Sequence, residues 1–231
     1  MLLHPEISVL THQYELIESI LNQSFFDYES LVNAQEHAWL DCRIKYVEGN
    51  RSPAKWYNQA IEQSQGRYIA LVFNEWTPSA LNDLYSFFEL SLKTVPDVGM
   101  VYGLAEPYDD KHLGEHWNLK SLKKHNILSN AAILIKRDVF DVVGGFDEDP
   151  LMNNVCCWDL WQRIGNLYSV HRFEKVLAKP ALLPSSPYTP EMAKHQNSRR
   201  TLPLKTKKTT WKQKVRSLKN YLRSTYDAIK T

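Results

Sequence analysis

The sequence predicts an α/β protein built on a mixed, mostly parallel sheet flanked by helices. Three observations carry this. Short β-branched or apolar runs alternate with stretches of helical periodicity between residues 7 and 102. One run, Arg67–Phe73 (RYIALVF), is apolar almost without alternation, as a strand covered on both faces must be. Proline and glycine fall at the joints between runs. Strands separated by helices form βαβ units, whose crossovers make neighbouring strands parallel.

Taken in order, Ile7–Thr11 is a strand, and Tyr14–Gln23, with apolar residues at 16, 17, 20 and 21, is an amphipathic helix. Tyr28–Val32 and Ile44–Val47 are further strands. Pro53 opens a helix over Ala54–Gln65, and Gly66 is its expected C-cap. After the buried strand, Pro78 leads into a helix over Ser79–Lys93, and Pro96-Asp97 turns the chain into a strand over Val98–Tyr102. The second half is less regular. Glu106–His125 is polar and reads as a long loop, of the kind that carries function or moves. Ala131–Ile135 is a strand, Arg137–Val143 a helical turn broken by Gly144-Gly145, and Cys157–Ile164 a helix around Trp158 and Trp161. Pro180–Pro190, with four prolines, is extended.

Composition bounds the function classes. With 231 residues, 43% of them hydrophobic, the chain holds one large domain. No apolar run approaches the ~18 residues of a membrane span, and the first residues, MLLHPEISVL, lack the basic flank and apolar stretch of a signal peptide. A cytoplasmic protein is expected. Cys42, Cys156 and Cys157 make neither a disulfide framework nor a zinc site. The net charge of +2 hides an asymmetry: residues 204–231 carry nine Lys or Arg against Asp227 alone, so residues 1–203 are net acidic. The expected organisation is a domain over 1–203 and a basic tail over 204–231. In the tail, Trp211, Val215, Leu218, Leu222, Tyr226 and Ile229 fall on one helical stripe with the cations elsewhere. Such a helix either attaches peripherally to a membrane surface or packs on the protein's own surface. A nucleic-acid role would rest on this tail alone.

Three segments together resemble the family-2 glycosyltransferases of the GT-A fold. They are NRSPAKWYNQA (50–60) followed by GRYIALVFNEW (66–76); VPDVGMVYG (95–103); and ILIKRDVFDVVGGFDED (133–149) with CCWDLWQRIG (156–165). The resemblance implies a nucleotide-sugar donor and a saccharide or lipid-linked acceptor, with surface polysaccharide synthesis as one setting. It also implies a divalent metal, Mg²⁺ or Mn²⁺, held by an Asp-x-Asp at a strand end, where it neutralises the leaving diphosphate. A carboxylate base would take the acceptor proton.

At four places this sequence departs from the pattern. Phe73-Asn74-Glu75 stands at the Asp-x-Asp, and Cys156-Cys157 at the acidic pair before Trp158. Asn33-Ala34-Gln35 stands at the acidic end of the second strand, and Thr11-His12-Gln13 at the first loop. Glu75 is the remaining metal or diphosphate ligand, with Asn74 a weaker donor-side candidate. Asn58 matches a position near the donor or else packs its helix. Asp159 is the carboxylate nearest the expected base, but it lies two to three residues late, and its Trp-Asp-Leu-Trp context favours a structural role. Asp147 and Glu148, after the Gly-Gly turn, either cap the helix or approach the acceptor. His195 sits where relatives place a metal-binding histidine. The cysteines read as small buried hydrophobes, and Trp56, Trp76 and Trp117 as packing residues before sugar platforms. A second expectation follows: a relative without catalysis, serving as a binding or scaffolding partner beside an active transferase.

Overall fold

The computed structural model describes residues 4–33, 41–49, 52–108, 111–113, 115–124, 126–128, 131–179 and 189–201. The elements run β1 (Ile7–Thr11), a 3-10 turn (Tyr14–Leu16), α1 (Ile17–Leu21), β2 (Tyr28–Asn33), β3 (Ile44–Val47), α2 (Pro53–Gln63), β4 (Tyr68–Leu71), α3 (Ala80–Thr94), β5 (Val98–Tyr108) and β6 (Lys111–Leu113). They continue with α4 (Leu119–Leu122), β7 (Ala132–Lys136), α5 (Asp138–Val143), a second 3-10 turn (Pro150–Met152), α6 (Cys156–Gly165), β8 (Ser169–Ala178) and α7 (Pro190–Thr201).

The strands form one eight-stranded sheet in the order β3-β2-β1-β4-β7-β5-β6, with β8 also paired to β5. β1, β2, β3 and β4 are mutually parallel. β7 runs antiparallel to both β4 and β5, and β8 runs parallel to β5. This is the mixed, mostly parallel sheet that the sequence predicts.

The apolar runs are explained by two cores, one on each face. Side chains alternate across a strand, so Ile69 and Leu71 of β4 enter one core while Tyr68 and Ala70 enter the other. β7 divides the same way, Ile133 and Ile135 against Ala132 and Leu134. α2, α5 and α6 cover the first face through Trp56, Tyr57, Phe140, Trp158 and Trp161. α3 covers the second through Leu81, Leu84 and Phe88, joined by Leu16 and Ile20. A strand between two helical layers has no polar face to show, hence RYIALVF.

Several expectations need correction. Tyr14–Gln23 is a 3-10 turn followed by a five-residue helix. Gly66 is not the C-cap of α2; Ser64 is, in extended conformation. Gly66 is required instead by close approach to β1, since a Cβ there would lie 2.3 Å from the Ser8 backbone nitrogen. The expected loop over Glu106–His125 contains the end of β5, β6 and α4. β8 and α7 had no counterpart in the sequence reading. The amphipathic tail and most of the proline-rich segment lie outside the described residues. By internal packing the chain divides into Met1–Gln196 and Asn197–Thr231, a boundary inside α7. Among the described residues no helix is long and apolar enough to cross a membrane.

Candidate functional site

Strand direction points to a candidate site. β1 pairs with β2 on one side and β4 on the other, all parallel, so the crossovers diverge between β1 and β4. In open α/β sheets ligands bind at such a switch point, outside the carboxyl ends of the strands. Thr11-His12-Gln13, Asn33 and Phe73-Asn74-Glu75 follow or end these strands. β8 runs in the same direction as β4, because antiparallel β7 stands between β4 and β5. Its successor, Lys179, therefore belongs to the same edge.

Aromatic rings occupy much of this edge. His12 meets Trp56 edge-on with ring centroids 5.4 Å apart. Phe73 meets Tyr57 edge-on at 5.9 Å, and Tyr57 stacks on Phe146 at 5.0 Å. Burial pushes the Tyr57 phenol well above its usual range. The Phe73–Tyr57–Phe146 ladder links the end of β4 to the turn after α5.

That turn is clamped from two sides. Gly144 takes the left-handed region at φ 79°, which ends α5. Arg163 of α6 donates to the carbonyls of Val143 at 2.7 Å and Gly145 at 2.8 Å. Asn58 of α2 accepts from the Phe146 N–H at 2.7 Å and donates to its carbonyl at 3.0 Å. Its amide also donates to Glu148 at 2.7 Å. Asn58, expected either near a donor or in helix capping or packing, clamps the Gly-Gly-Phe turn.

Asp159 is likewise engaged. It is buried, with Oδ2 taking the Arg163 Nε at 2.7 Å and Oδ1 taking the Gln196 amide at 2.9 Å. Both oxygens of this candidate catalytic carboxylate help to hold α5, α6 and α7 together. Cys156 is buried at the first position of α6. A hydrogen bond from Cys157 holds the Cys156 thiol below its ordinary value and, with burial, pushes Cys157 up.

Glu148 is exposed and, with Asn58, Ile61, Glu62, Phe140, Asp141 and Gly145, lines an open cleft of about 330 Å³. His195 lies between two carboxylates, Nε2 3.0 Å from Asp147 and Nδ1 3.7 Å from Asp149. Asp147 is buried and also accepts from the Asp149 N–H. Sequence reasoning placed His195 with Glu75 as a metal ligand; the structure pairs it with the acidic turn.

Glu75 has a different partner. Its carboxylate holds the Lys179 ammonium, its carbonyl accepts from the Lys179 N–H at 2.8 Å, and the buried Asn74 donates its amide to the Lys179 carbonyl. The Glu75 bond raises the Lys179 amine above the usual lysine value. A divalent cation needs several converging oxygens. Here Phe73 offers none and Glu75 is matched to an ammonium. Among the described residues no three His, Cys, Asp or Glu side chains converge on a metal position. At the end of β4 the described residues do not fit the expected Mg²⁺ or Mn²⁺. Trp56 and Trp76 are buried and Trp117 packs against the core, so the three tryptophans are packing residues. Lys179 was missed because β8 was missed.

No protein-family model and no curated protein matches the chain. Solved structures do. TarS residues 1–349 from S. aureus superimpose with a TM-score of 0.55 at 13% identity, over 78% of this chain and 60% of that one. The mannosyltransferase PcManGT from Pyrobaculum calidifontis, in complex with GDP-Man and Mn²⁺, gives 0.54 at 16% identity, over 81% and 59%. TarS 1–349 in complex with UDP-GlcNAc gives 0.51 at 16% identity, over 81% and 62%. The chain spans about three-fifths of the length of these three structures. The likeness is one of fold: the chain has the GT-A-like fold of glycosyltransferases.

Proposed function

We propose that the chain is a glycosyltransferase that binds a nucleotide-sugar donor at the carboxyl edge of β1, β2 and β4 and passes its sugar to a carbohydrate or lipid-linked acceptor. The observation that carries this reading is the switch point between β1 and β4, with Phe73-Asn74-Glu75 leaving it at the end of β4. The structural neighbours whose complexes hold GDP-Man and UDP-GlcNAc support the donor class. On the acceptor side, His195 is oriented by buried Asp147 and faces Asp149. In this reading His195 accepts the hydroxyl proton, a task suited to an imidazole held by a carboxylate, and exposed Glu148 helps to seat the acceptor. The basic tail supplies a peripheral membrane contact near lipid-linked acceptors, and surface polysaccharide synthesis is the setting in which such acceptors occur.

Thermal-shift screening against UDP-, GDP- and dTDP-sugars tests the donor step. Stabilisation by one of them is expected, and none by any, with or without Mn²⁺, ends the proposal. Transfer to an acceptor should fall at least about a hundredfold in His195→Ala, the loss expected for a general base.

A second reading keeps the donor site without turnover, as a binding subunit beside an active transferase. It is favoured by the occupied oxygens of Asp159 and by a thiol pair at the expected base position. Co-purification from the native host separates the two, because a scaffold brings a catalytic partner and shows no transfer alone.

A further inference from the structure

Among the described residues the proposed donor edge shows no chelating carboxylate pair, yet it carries a positive charge beside Glu75. Lys179 directly follows Ala178, the last residue of β8, and Trp76 bridges Ala178 in antiparallel fashion. Its backbone is then tied on both sides, the N–H to Glu75 and the carbonyl to Asn74. A residue held this way cannot swing from the strand end, so its ammonium is confined to the neighbourhood of Phe73-Asn74-Glu75.

The ammonium itself stays available. The Lys179 and Glu75 side chains are 59% and 51% exposed. An exposed pair of long side chains binds weakly. A diphosphate with two or three negative charges competes well for that ammonium against a single carboxylate, and lysine serves phosphate as a compact point charge. Glu75, meanwhile, holds the lysine in place while no ligand is bound.

We propose that Lys179 is the diphosphate-binding cation of this site, standing where a divalent metal would otherwise neutralise the donor, so that donor binding needs no metal. The geometry behind this is the Asn74–Lys179–Glu75 bonding and the absence of a chelating oxygen at Phe73. The inference rests on the donor-binding reading above and adds the chemical identity of its cation.

Calorimetry on the full chain tests it, titrating UDP, GDP and dTDP in EDTA and again in Mn²⁺. One nucleoside diphosphate should bind with the same affinity in both buffers. Lys179→Ala should weaken it about tenfold or more, and Lys179→Arg should stay within a few-fold of the parent, as expected for a charge-assisted hydrogen bond. Glu75→Ala should bind as well as the parent or better, because it frees the ammonium, whereas a metal-holding Glu75 would lose binding on truncation. Thermal melts of each variant confirm that it is folded. Binding that appears only with Mn²⁺, or survives Lys179→Ala intact, or is abolished by Glu75→Ala, overturns Lys179 while leaving the donor site standing. No binding of any of the three by the parent chain, in either buffer, overturns both.

Discussion

Two regions that meet across the Tyr57–Phe146 stack behave in opposite ways. At the turn over Gly144–Asp149, each residue type that carries the resemblance has a structural task. Asn58 and Arg163 hold the turn's backbone groups, and Asp159 neutralises Arg163. At the end of β4, Asn74 and Glu75 are bonded to Lys179 across the edge. The turn is thus held by side chains bonded to its own backbone, whereas the end of β4 adds an exposed ion pair to its backbone bonds.

The largest effect that could break this contrast is expected at Asp159. Truncation to Ala leaves the Arg163 guanidinium, with its side chain only 14% exposed, without its carboxylate. Losing one partner of a buried pair destabilises by about 3–5 kcal/mol, which urea denaturation would read directly. Asn58→Ala comes next. It strands the N–H and carbonyl of Phe146, and unsatisfied buried backbone groups cost about 1–3 kcal/mol. Asn58→Asp should be no better, because a carboxylate would then face the Phe146 carbonyl and Glu148. If either variant of Asn58 is as stable as the parent, the clamp is not what secures the turn.

How far the fold could be read from sequence follows the same division. β1, β4 and β7 were legible because burial on both faces leaves apolar or β-branched runs with no other explanation. β8 was not. Its burial is broken, with Glu174, Lys175 and Val176 exposed, so neither alternation nor a continuous run marks it. α7 was missed for a related reason: PEMAKHQNSRRT has no apolar stripe, and the helix is attached through Met192 alone in the core and through His195 and Gln196 among the described residues, contacts that periodicity does not reveal. At the end of β4 the sequence singled out Asn74 and Glu75 but not the lysine they bond to. Lys179 reaches Glu75 over a separation of 104 residues, and no local pattern encodes that meeting.

A smaller effect should appear with pH. Burial raises Glu29, but bonds from Lys45, Ser8 and the Gln65 N–H outweigh it and hold the carboxyl below 4.5. Asp41 is held at about 2, against an ordinary 3.8, by the Arg43 guanidinium. A carboxyl depressed in the folded state stabilises fully above its unfolded value, and that contribution fades as pH falls through the folded value. Stability should therefore drop below pH 4.5, and Asp41→Asn should remove the part lying between 3.8 and about 2. Because the Asp41–Arg43 pair lies at the surface and is partly open to solvent, that part is worth about 1 kcal/mol. Urea midpoints measured from pH 5 to pH 2.5 in parent and variant would check both the sign and the window.

The smallest effect on stability is expected where the effect on a ligand is expected to be largest. Lys179→Ala removes a half-exposed side chain whose partner, Glu75, returns to water, while the backbone bonds from Lys179 to Glu75 and Asn74 survive the substitution. Parent and variant should melt together within error at neutral pH and low salt. A clear loss of stability would make the ion pair part of the framework, and the end of β4 would then obey the same rule as the turn over Gly144–Asp149. Coincident melts, beside a destabilised Asp159→Ala, would mean that the domain can lose its cation at this edge and remain folded, as expected of a group retained for what it binds.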